Sequence, residues 1–417
     1  TKVEQFPEEL KKTAVSLHEI TGERPDRAGL IAACMQQFEQ YYEIFLKKQD
    51  LSLLKDAYNE RLAGIGGTVS VLGTQEQYSG ISEGIDEMGE LLVRREDGRI
   101  FMEKTCPEHG SFQTLIWQGA VDFDRWLLGT EPLPPTAGAN CPANCGICPE
   151  HDSGTCCALL EVTDRCNLRC RYCFADGGRN TADPSLEDLK AAVREIVSQC
   201  GQPLLQLSGG EPTLREDLPE LVRYAKEAGC SCVQVNTNGI RLAEDPSYAA
   251  ALADAGLDIV FLQFDGTREE IYKVLRGRPL LQTKLRAVRV CSDLRLGVTL
   301  VPTVVKGVNH RNLGELISLA ASLVPGVRGV HFQPVSYFGR CPESPGEENR
   351  YTLDQLMADI SSQTGIPIES FMPSRCDHPL CGFHANFLVN PAGGLKPLTS
   401  ITYSSRSRST ARDNREY

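Results

Sequence analysis

The stretch CNLRCRYCF, residues 166–174, places three cysteines within eight positions. Cys166, Cys170 and Cys173 have the spacing CxxxCxxC, and Tyr172 stands immediately before the third cysteine. A structural zinc site uses four ligands, usually as two separated pairs, and a disulfide uses two cysteines at a restricted separation. Three thiolates can hold a cubane cluster of four irons and leave one iron open. The spacing therefore indicates a [4Fe–4S] cluster with one open coordination position.

A second motif, SGGEPT, occupies residues 208–213 and begins thirty-five residues after Cys173. Gly209 and Gly210 allow a ligand to approach the backbone closely, because glycine has no Cβ. Glu211 adds a carboxylate suited to an ammonium group. This segment is therefore predicted to bind a cofactor beside the cysteine loop.

Amide and carboxylate side chains follow two later apolar stretches. Asn236 and Asn238 lie in VNTNG, and Asp265 lies in LQFDG. Their positions predict that they lie near the same cofactor or its substrate. For each of them, a helix cap or a loop hydrogen bond is the alternative interpretation.

Another set of cysteines has the same spacing in different surroundings. Cys141, Cys145 and Cys148 also form CxxxCxxC, but they follow a Pro-rich linker, and Ile147 takes the aromatic position. We assign them to an auxiliary iron–sulfur cluster. Its further ligands are expected among three other cysteines: Cys157, Cys376 and Cys381. A four-coordinate zinc site made from the same thiols is the alternative.

The elements that must position these residues are visible as an alternation of strands and helices. Six near-continuous apolar strands are separated by helix-like stretches such as SLEDLKAAVREIVSQ, which is typical of a parallel sheet with both faces covered. The strands are ALLEV, LLQLS, CVQVN, IVFLQF, GVTLVPT and GVHFQPV. Six units are fewer than the eight of a closed barrel, so we predict an α/β fold with an open, partial (β/α)6 TIM-like barrel. Functional side chains should lie at the carboxyl ends of its strands.

The flanking sequence divides into further segments. The N-terminal part carries helical periodicity, as in LIAACMQQFEQYYEIFLKK, and then short alternating strands. The expected segments are a helical and small β-barrel unit (1–99), a knuckle and cysteine-rich segment (100–156), the barrel (157–340), a late auxiliary-cluster segment (341–400) and a disordered tail (401–417).

Composition argues against several classes of function. The chain has 417 residues and a net charge of −12, which argues against loose binding to nucleic acid. No uninterrupted apolar run reaches the roughly 18 residues of a membrane span. Seventeen cysteines, without an apolar signal core, indicate reduced thiols in the cytoplasm that serve metals. Five further cysteines lie in apolar surroundings and are expected to be small buried residues: Cys34, Cys200, Cys230, Cys232 and Cys291.

The cysteine loop after a strand, its aromatic residue and the Gly-Gly-Glu segment together resemble the radical S-adenosylmethionine (SAM) enzymes over residues 157–400. The resemblance implies that Cys166, Cys170 and Cys173 hold the cluster, and that SAM occupies the open iron. It implies that the Gly-Gly-Glu segment binds the methionine ammonium and that Tyr172 packs near the adenine. In this family, one electron cleaves SAM to methionine and a 5′-deoxyadenosyl radical, which abstracts hydrogen from the substrate.

Longer motifs resemble one subgroup of that family over residues 100–399. CPANCGICPEH, LQLSGGEPTLREDLPE and VHFQPVSYFGR are similar to the subgroup of archaeal tetraether lipid synthase and pterin methylase-like proteins. That subgroup carries auxiliary clusters and a rubredoxin-like iron. Cys106 in KTCPEHGSF resembles one knuckle of the iron site. No CxxC partner lies upstream, so the mononuclear iron is expected to be missing.

The first 99 residues instead resemble the end of a biotin–protein ligase. FPEEL, GGTVSVLG and GISEGIDEMGELLVRREDGR carry this resemblance. It implies a small SH3-like barrel and, because the adenylate loop is absent from the given sequence, no ligase activity.

These observations predict an enzyme that cleaves SAM reductively and activates a C–H bond. The reaction would be a C–C coupling or a methylation of a lipid or a pterin-like molecule, with ferredoxin or flavodoxin as reductant. The alternative is a non-catalytic iron–sulfur protein that transfers electrons or has a structural role.

Overall fold

The computed structural model describes residues 17–23, 26–71, 78–86, 88–95, 98–106, 108–123, 126, 155, 157–178, 182–342, 346, 349–374, 381–390 and 394–398. The helices in these residues are α1 (Leu17–Thr21), α2 (Arg27–Lys48), α3 (Lys55–Asn59), α4 (Leu186–Cys200), α5 (Leu218–Ala228), α6 (Ile240–Glu244), α7 (Pro246–Asp254), α8 (Glu269–Arg276), α9 (Leu281–Asp293), α10 (Leu313–Ser322) and α11 (Leu353–Thr364). The strands are β1 (Thr68–Val71), β2 (Tyr78–Ile85), β3 (Leu91–Arg95), β4 (Ile100–Cys106), β5 (Gly110–Trp117), β6 (Cys157–Thr163), β7 (Leu204–Gly209), β8 (Cys232–Thr237), β9 (Ile259–Gln263), β10 (Gly297–Val301), β11 (Thr303–Val304), β12 (Val327–Val330), β13 (Gln333–Pro334), β14 (Met372–Pro373), β15 (Phe383–His384), β16 (Phe387–Val389) and β17 (Leu395–Pro397).

The main sheet contains six parallel strands in the order β12-β10-β9-β8-β7-β6. This order leaves β6 and β12 at the two edges, and it confirms the predicted α/β fold with an open, partial barrel. The last strand begins at Val327, two residues before the predicted GVHFQPV segment. The short β13 follows it and pairs with β11.

Helices cover one face of this sheet. Alternate strand side chains, such as Leu207, Val235 and Leu262, are buried in the core beneath them. The other face carries amides, and Gln234 donates a hydrogen bond to Gln206 across β7 and β8. Within the described residues, the second face is therefore more polar than near-continuous apolar strands predict.

An antiparallel sheet precedes the barrel and contains β1 to β5 in sequence order. The alternation in RIFMEKT and FQTLIWQ predicts a strand on either side of the CPEHG knuckle, and β4 and β5 confirm both. Since β3 pairs with β4, for example Leu91 with Glu103, the sheet runs across residue 99, where the sequence suggests a segment boundary.

Helix α2 confirms the helix predicted over LIAACMQQFEQYYEIFLKK, but none of its residues is buried. Cys34 on this helix is exposed, so the expectation that it is buried was wrong. Cys230 and Cys291 are buried as expected, whereas Cys200 and Cys232 are only partly buried. No helix in the described ranges is long and apolar enough to cross a bilayer.

A second apolar core joins β5 to the C-terminal helix α11. Trp117 and Met357 belong to the same buried cluster. The Asp354 carboxylate accepts hydrogen bonds from the Gln118 N–H at 3.0 Å and from the Ala120 N–H at 2.8 Å. These contacts attach the antiparallel sheet to the barrel.

Candidate active site

The three cysteines of CNLRCRYCF lie on the loop after β6, at the carboxyl edge of the main sheet. All three are partly buried, and Cys166 and Cys170 pack beside Leu168. The Arg171 N–H donates to the Leu275 carbonyl at 3.0 Å. The end of α8 therefore holds the middle of the cysteine loop.

A segment far along the chain closes the other side of the loop. Cys173 and Arg340 exchange two backbone hydrogen bonds, of 3.0 and 2.9 Å. Arg340 Nε donates to the Cys170 carbonyl at 2.9 Å. A Cβ on Gly339, whose φ is +67°, would lie 2.5 Å from the Cys173 carbonyl oxygen. Sequence reasoning missed both residues, and the signal available was the Gly-Arg pair that ends VHFQPVSYFGR.

The protonation of Cys166 reflects its surroundings. Burial raises the pKa of the Cys166 thiol to about 11. The Leu168 N–H, 3.5 Å from its Sγ, opposes that shift, and Glu211, Cys170 and Cys173 add to it. The free thiol therefore keeps its proton at neutral pH. A metal that binds there replaces that proton.

The Gly-Gly-Glu segment lies beside this loop, at the end of β7. The Gly210 N–H donates to the Thr163 carbonyl at 2.6 Å, and the Glu211 N–H donates to the Arg165 carbonyl at 2.7 Å. A Cβ on Gly210 would lie 2.2 Å from the Arg165 oxygen, and one on Gly209 would lie 2.3 Å from the Thr163 oxygen. The two loops can approach this closely only through glycine. The sequence analysis explains the two glycines by the approach of a ligand, and that contact stays a prediction.

The Glu211 carboxylate ties the ends of β7 and β8 together. The residue is 1% exposed. Its Oε1 accepts from the Thr213 N–H at 3.1 Å and from the hydroxyls of Thr213 and Thr237 at 2.6 Å each. Its Oε2 accepts from the Asn238 N–H at 2.7 Å. The predicted contact with an ammonium group would use the remaining lone pair of Oε2.

The two asparagines at the end of β8, Asn236 within the strand and Asn238 after it, have different surroundings. Asn238 Nδ2 donates to Oδ1 of Asn167 at 2.7 Å, within the cysteine loop itself. Asn236 Nδ2 donates to the Ser208 hydroxyl at 3.2 Å, on the polar face of the sheet. The structure thus brings Asn238, but not Asn236, into contact with the cysteine loop.

Asp265, after β9, forms a buried ion pair with Arg276. Arg276 Nε and Nη2 donate to its two carboxylate oxygens at 2.7 and 2.6 Å. Burial opposes the charge of Arg276, but Asp265 and the Cys170 sulfur raise the pKa of Arg276 above its usual value. The predicted cofactor contact at Asp265 is therefore occupied by an arginine that sequence reasoning missed.

Lys284, on α9, is a second buried cation that sequence reasoning missed. Its Nζ donates to the Asn238 carbonyl and to Gln263 Oε1, the latter at 2.9 Å. Burial lowers the pKa of Lys284 to about 7, Asp265 opposes this shift, and Arg276 adds to it. The floor of the site therefore holds a group that titrates near neutral pH.

A cavity of about 230 Å³ opens beside the cysteine loop. Tyr172, which is 9% exposed, forms part of its wall together with Val305 and Val335. Arg171 and Lys306 also line it. The cavity therefore offers an aromatic ring and cations next to the residues that would hold the cluster.

The other candidate metal ligands lie elsewhere. Cys157 begins β6, at the opposite end of that strand from the cysteine loop, and it is near Cys232. Cys381 is exposed. The remaining candidates lie outside the described residues: Cys141, Cys145, Cys148 and Cys376. The auxiliary cluster therefore stays a prediction.

Comparison with known proteins decides the family. A family model described as the Radical SAM superfamily matches residues 160–320, and a model described as the HMPTM N-terminal zinc ribbon domain matches residues 92–118. Over 338 residues the chain is 37% identical to a 7,8-dihydro-6-hydroxymethylpterin dimethyltransferase of Methanocaldococcus jannaschii, covering 74% of this chain and 67% of that protein. The chain belongs to the radical SAM superfamily.

Two further similarities each cover about half of the chain. A probable GTP 3′,8-cyclase of Methanothermobacter thermautotrophicus is 32% identical over 259 residues, which cover 57% of this chain and 82% of that protein. The solved structure of native anSMEcpe with bound AdoMet is 20% identical and covers 49% of this chain and 58% of that chain, with a TM-score of 0.40. The radical SAM family uses a [4Fe–4S] cluster and SAM, the two cofactors predicted from the motifs.

The cysteine loop of this radical SAM protein fits such a cluster. Its donors are three thiols, the soft ligands that iron–sulfur clusters take. In the described part of the chain, no three His, Cys, Asp or Glu side chains could hold a single metal ion. A four-iron cluster spaces its ligands more widely than one ion does, so this finding is compatible with it. When bound, the cluster and SAM supply the 5′-deoxyadenosyl radical. The contribution of the chain itself is to fix the thiols through Leu275 and Arg340.

The zinc-ribbon match covers β4, β5 and the turn between them. Cys106 is the one cysteine in residues 92–118, and its Sγ lies 3.2 Å from Nδ1 of His109. A closed tetrahedral site needs four ligands. The expectation that this site lacks its metal stays a prediction.

Proposed function

We propose that this radical SAM enzyme functionalises a C–H bond of a small, pterin-like substrate in a methylation or another C–C bond-forming reaction. The observation that carries the proposal is the extent of the similarity to the pterin dimethyltransferase. It spans 338 residues, whereas the superfamily model matches only residues 160–320. The similarity therefore includes flanking segments, where contacts specific to a substrate belong.

The cavity beside Tyr172 is the proposed location of the substrate. An aromatic side chain in its wall suits a planar ring. Lys306 and Arg171 suit an anionic group attached to that ring. Because the cavity borders the cysteine loop, a molecule bound there would lie close to the radical source.

Several finer assignments belong to the same proposal. The long motifs support membership of the subgroup that includes the tetraether lipid synthase, and residues 1–99 are proposed to be a ligase-like small barrel without ligase activity. Ferredoxin or flavodoxin is the proposed reductant in a cytoplasmic compartment. An auxiliary cluster is proposed on the second cysteine set: Cys141, Cys145, Cys148, Cys157, Cys376 and Cys381.

The test is anaerobic reconstitution with iron and sulfide, followed by dithionite-driven SAM cleavage. 7,8-Dihydro-6-hydroxymethylpterin should increase the yield of 5′-deoxyadenosine and should itself gain mass. Stimulation by a lipid extract alone would replace the pterin with a lipid substrate. Cleavage without stimulation by either would overturn the substrate class. No cleavage by a fully loaded protein would favour the electron-transfer alternative.

A further inference from the structure

Arg276, the last residue of α8, is a buried cation placed against a predicted cluster ligand. Its side chain is 5% exposed, and that of its ion-pair partner Asp265 is 0% exposed. Nη2 also donates to the Thr303 hydroxyl at 2.9 Å, and the Cys170 sulfur lies close enough to help raise the pKa of Arg276. An arginine has five N–H donors in a rigid fork, so one guanidinium can bind both Asp265 and Thr303.

The backbone holds this arrangement in place. The hydrogen bond from the Arg171 N–H to the Leu275 carbonyl, at 3.0 Å, joins the residue after Cys170 to the residue before Arg276. The loop and the end of α8 are therefore aligned by the main chain, and the guanidinium is aligned by Asp265. The backbone of Cys170 and the guanidinium are therefore held close to one another.

We infer that Arg276 is a positioning residue for the cluster: its buried positive charge, held next to Cys170 by the main chain and by Asp265, raises the reduction potential of the cluster held there. The inference rests on the assignment of the radical-generating cluster to Cys166, Cys170 and Cys173.

The physical reason is electrostatic. Net charge and hydrogen bonds to the ligand sulfurs set the reduction potential of an iron–sulfur cluster. Reduction adds a negative charge, and a buried cation stabilises the reduced state more than the oxidised state. The negative charge of Asp265 partly cancels the positive charge of Arg276. Loss of the Asp265 charge should therefore raise the reduction potential of the cluster, and loss of the Arg276 charge should lower it.

Arg340 provides a matched control on the same loop. It donates to the Cys170 carbonyl at 2.9 Å rather than to the sulfur, and its side chain is 24% exposed. Solvent screens a charge of that exposure more than a buried one. Loss of Arg340 should loosen the loop without removing a buried charge beside it.

The experiment is a potentiometric titration of the reconstituted protein without SAM, followed by electron paramagnetic resonance of the reduced cluster. Asp265→Asn should raise the midpoint potential. The double variant Asp265→Asn with Arg276→Met removes both charges, so it leaves no unpaired buried charge, and it should lower the potential. We expect a change of at least tenfold in the reduction equilibrium, or 59 mV for one electron, in each direction. Arg340→Gln should shift it by less.

Equal midpoint potentials in the parent and the double variant would overturn the inference. A shift in Arg340→Gln as large as that in the double variant would also overturn it. If the double variant does not bind a cluster, the sign of the Asp265→Asn shift decides alone. Failure of the proposed function would appear differently, as a parent protein that binds no cluster or shows no substrate-stimulated SAM cleavage.

Discussion

At the scale of single residues, burial governs the chemistry of the site. It keeps the Cys166 thiol protonated in the absence of metal, and it favours the neutral form of Lys284. Arg276 keeps its charge because its guanidinium donates two hydrogen bonds to the Asp265 carboxylate. Each of these properties can be tested by substitution of the residue concerned.

Replacing Cys166, Cys170 and Cys173 together by Ala should remove the iron of one cluster and abolish formation of 5′-deoxyadenosine. No other described cysteine lies on this loop to replace them. The measurements are iron per chain and chromatography of the SAM products. Cys34→Ala, at an exposed position on α2, should change neither. Persistent SAM cleavage in the triple variant would contradict the assignment.

The same triple variant tests the auxiliary cluster. It should stay brown if Cys141, Cys145 and Cys148 hold a separate iron–sulfur cluster. A colourless variant that contains zinc would instead support the zinc interpretation of the second cysteine set.

Lys284 should make the stability of the metal-free protein depend on pH. The pKa of Lys284 is about 7 in the fold and about 10.4 in an unfolded chain, so the unfolded chain binds more protons between these values. The free energy of unfolding of the parent, relative to Lys284→Met, should therefore rise with pH, by an amount on the order of 4 kcal/mol from pH 7 to pH 10. Below pH 7 the difference should be constant.

Urea unfolding of both proteins at several pH values measures this difference. Cysteine titration occurs in the parent and in the variant alike, and it cancels in the comparison. A difference in unfolding free energy that does not change with pH would show that Lys284 is charged in the fold.

At the scale of elements, the site depends on close packing between the loops after β6 and β7. Two backbone hydrogen bonds join them, and both glycines of the Gly-Gly-Glu segment sit against carbonyl oxygens. Glu211 then connects β7 to β8. The cysteine loop therefore owes its position to a neighbouring strand end as much as to its own strand.

Gly210→Ala should disturb this packing and the binding of iron together. The new methyl group would lie 2.2 Å from the Arg165 carbonyl oxygen, next to Cys166, and such overpacking costs roughly 1–3 kcal/mol. Thermal unfolding and iron content are the measurements. Gly329→Ala on β12 is the control, because nothing lies within 4 Å of a Cβ there. Full iron content combined with lost SAM binding would instead support the direct approach of a ligand.

At the scale of the whole molecule, two sheets are held together by one buried carboxylate and an apolar core. Asp354 is 0% exposed and accepts hydrogen bonds from backbone groups more than 200 positions away in the sequence, with separations of 236 and 234. The antiparallel sheet that carries the zinc-ribbon match is thereby attached to α11.

Asp354→Ala should loosen this attachment while the barrel stays folded. The change leaves the N–H groups of Gln118 and Ala120 without their acceptor, at a cost on the order of 3 kcal/mol. Limited proteolysis should then cut near β5 before it cuts the barrel. Asp254→Ala, at an exposed end of α7, should leave the digestion pattern unchanged. A pattern for Asp354→Ala equal to that of the parent would show that the apolar core alone holds the sheet.

The sequence by itself determined the features that depend on short spacings. The apolar strands and the helices between them predicted the alternation of elements along the barrel, because periodicity reflects which face of an element is buried. Ser185 begins α4 with a capping box, and Gly229 ends α5 in the left-handed conformation. The CxxxCxxC spacing predicted the metal loop in the same local way.

Only the tertiary structure decided which charged groups surround that loop. Lys284 reaches Asn238 across 46 positions, and Arg340 reaches Cys170 across 170 positions. No periodicity or short spacing encodes such pairs, because they form only when distant strand ends meet at one edge of the sheet. The same holds for Glu211, whose carboxylate accepts hydrogen bonds from Thr237 and Asn238. Burial also lowers the pKa of Lys284, which no local pattern predicts.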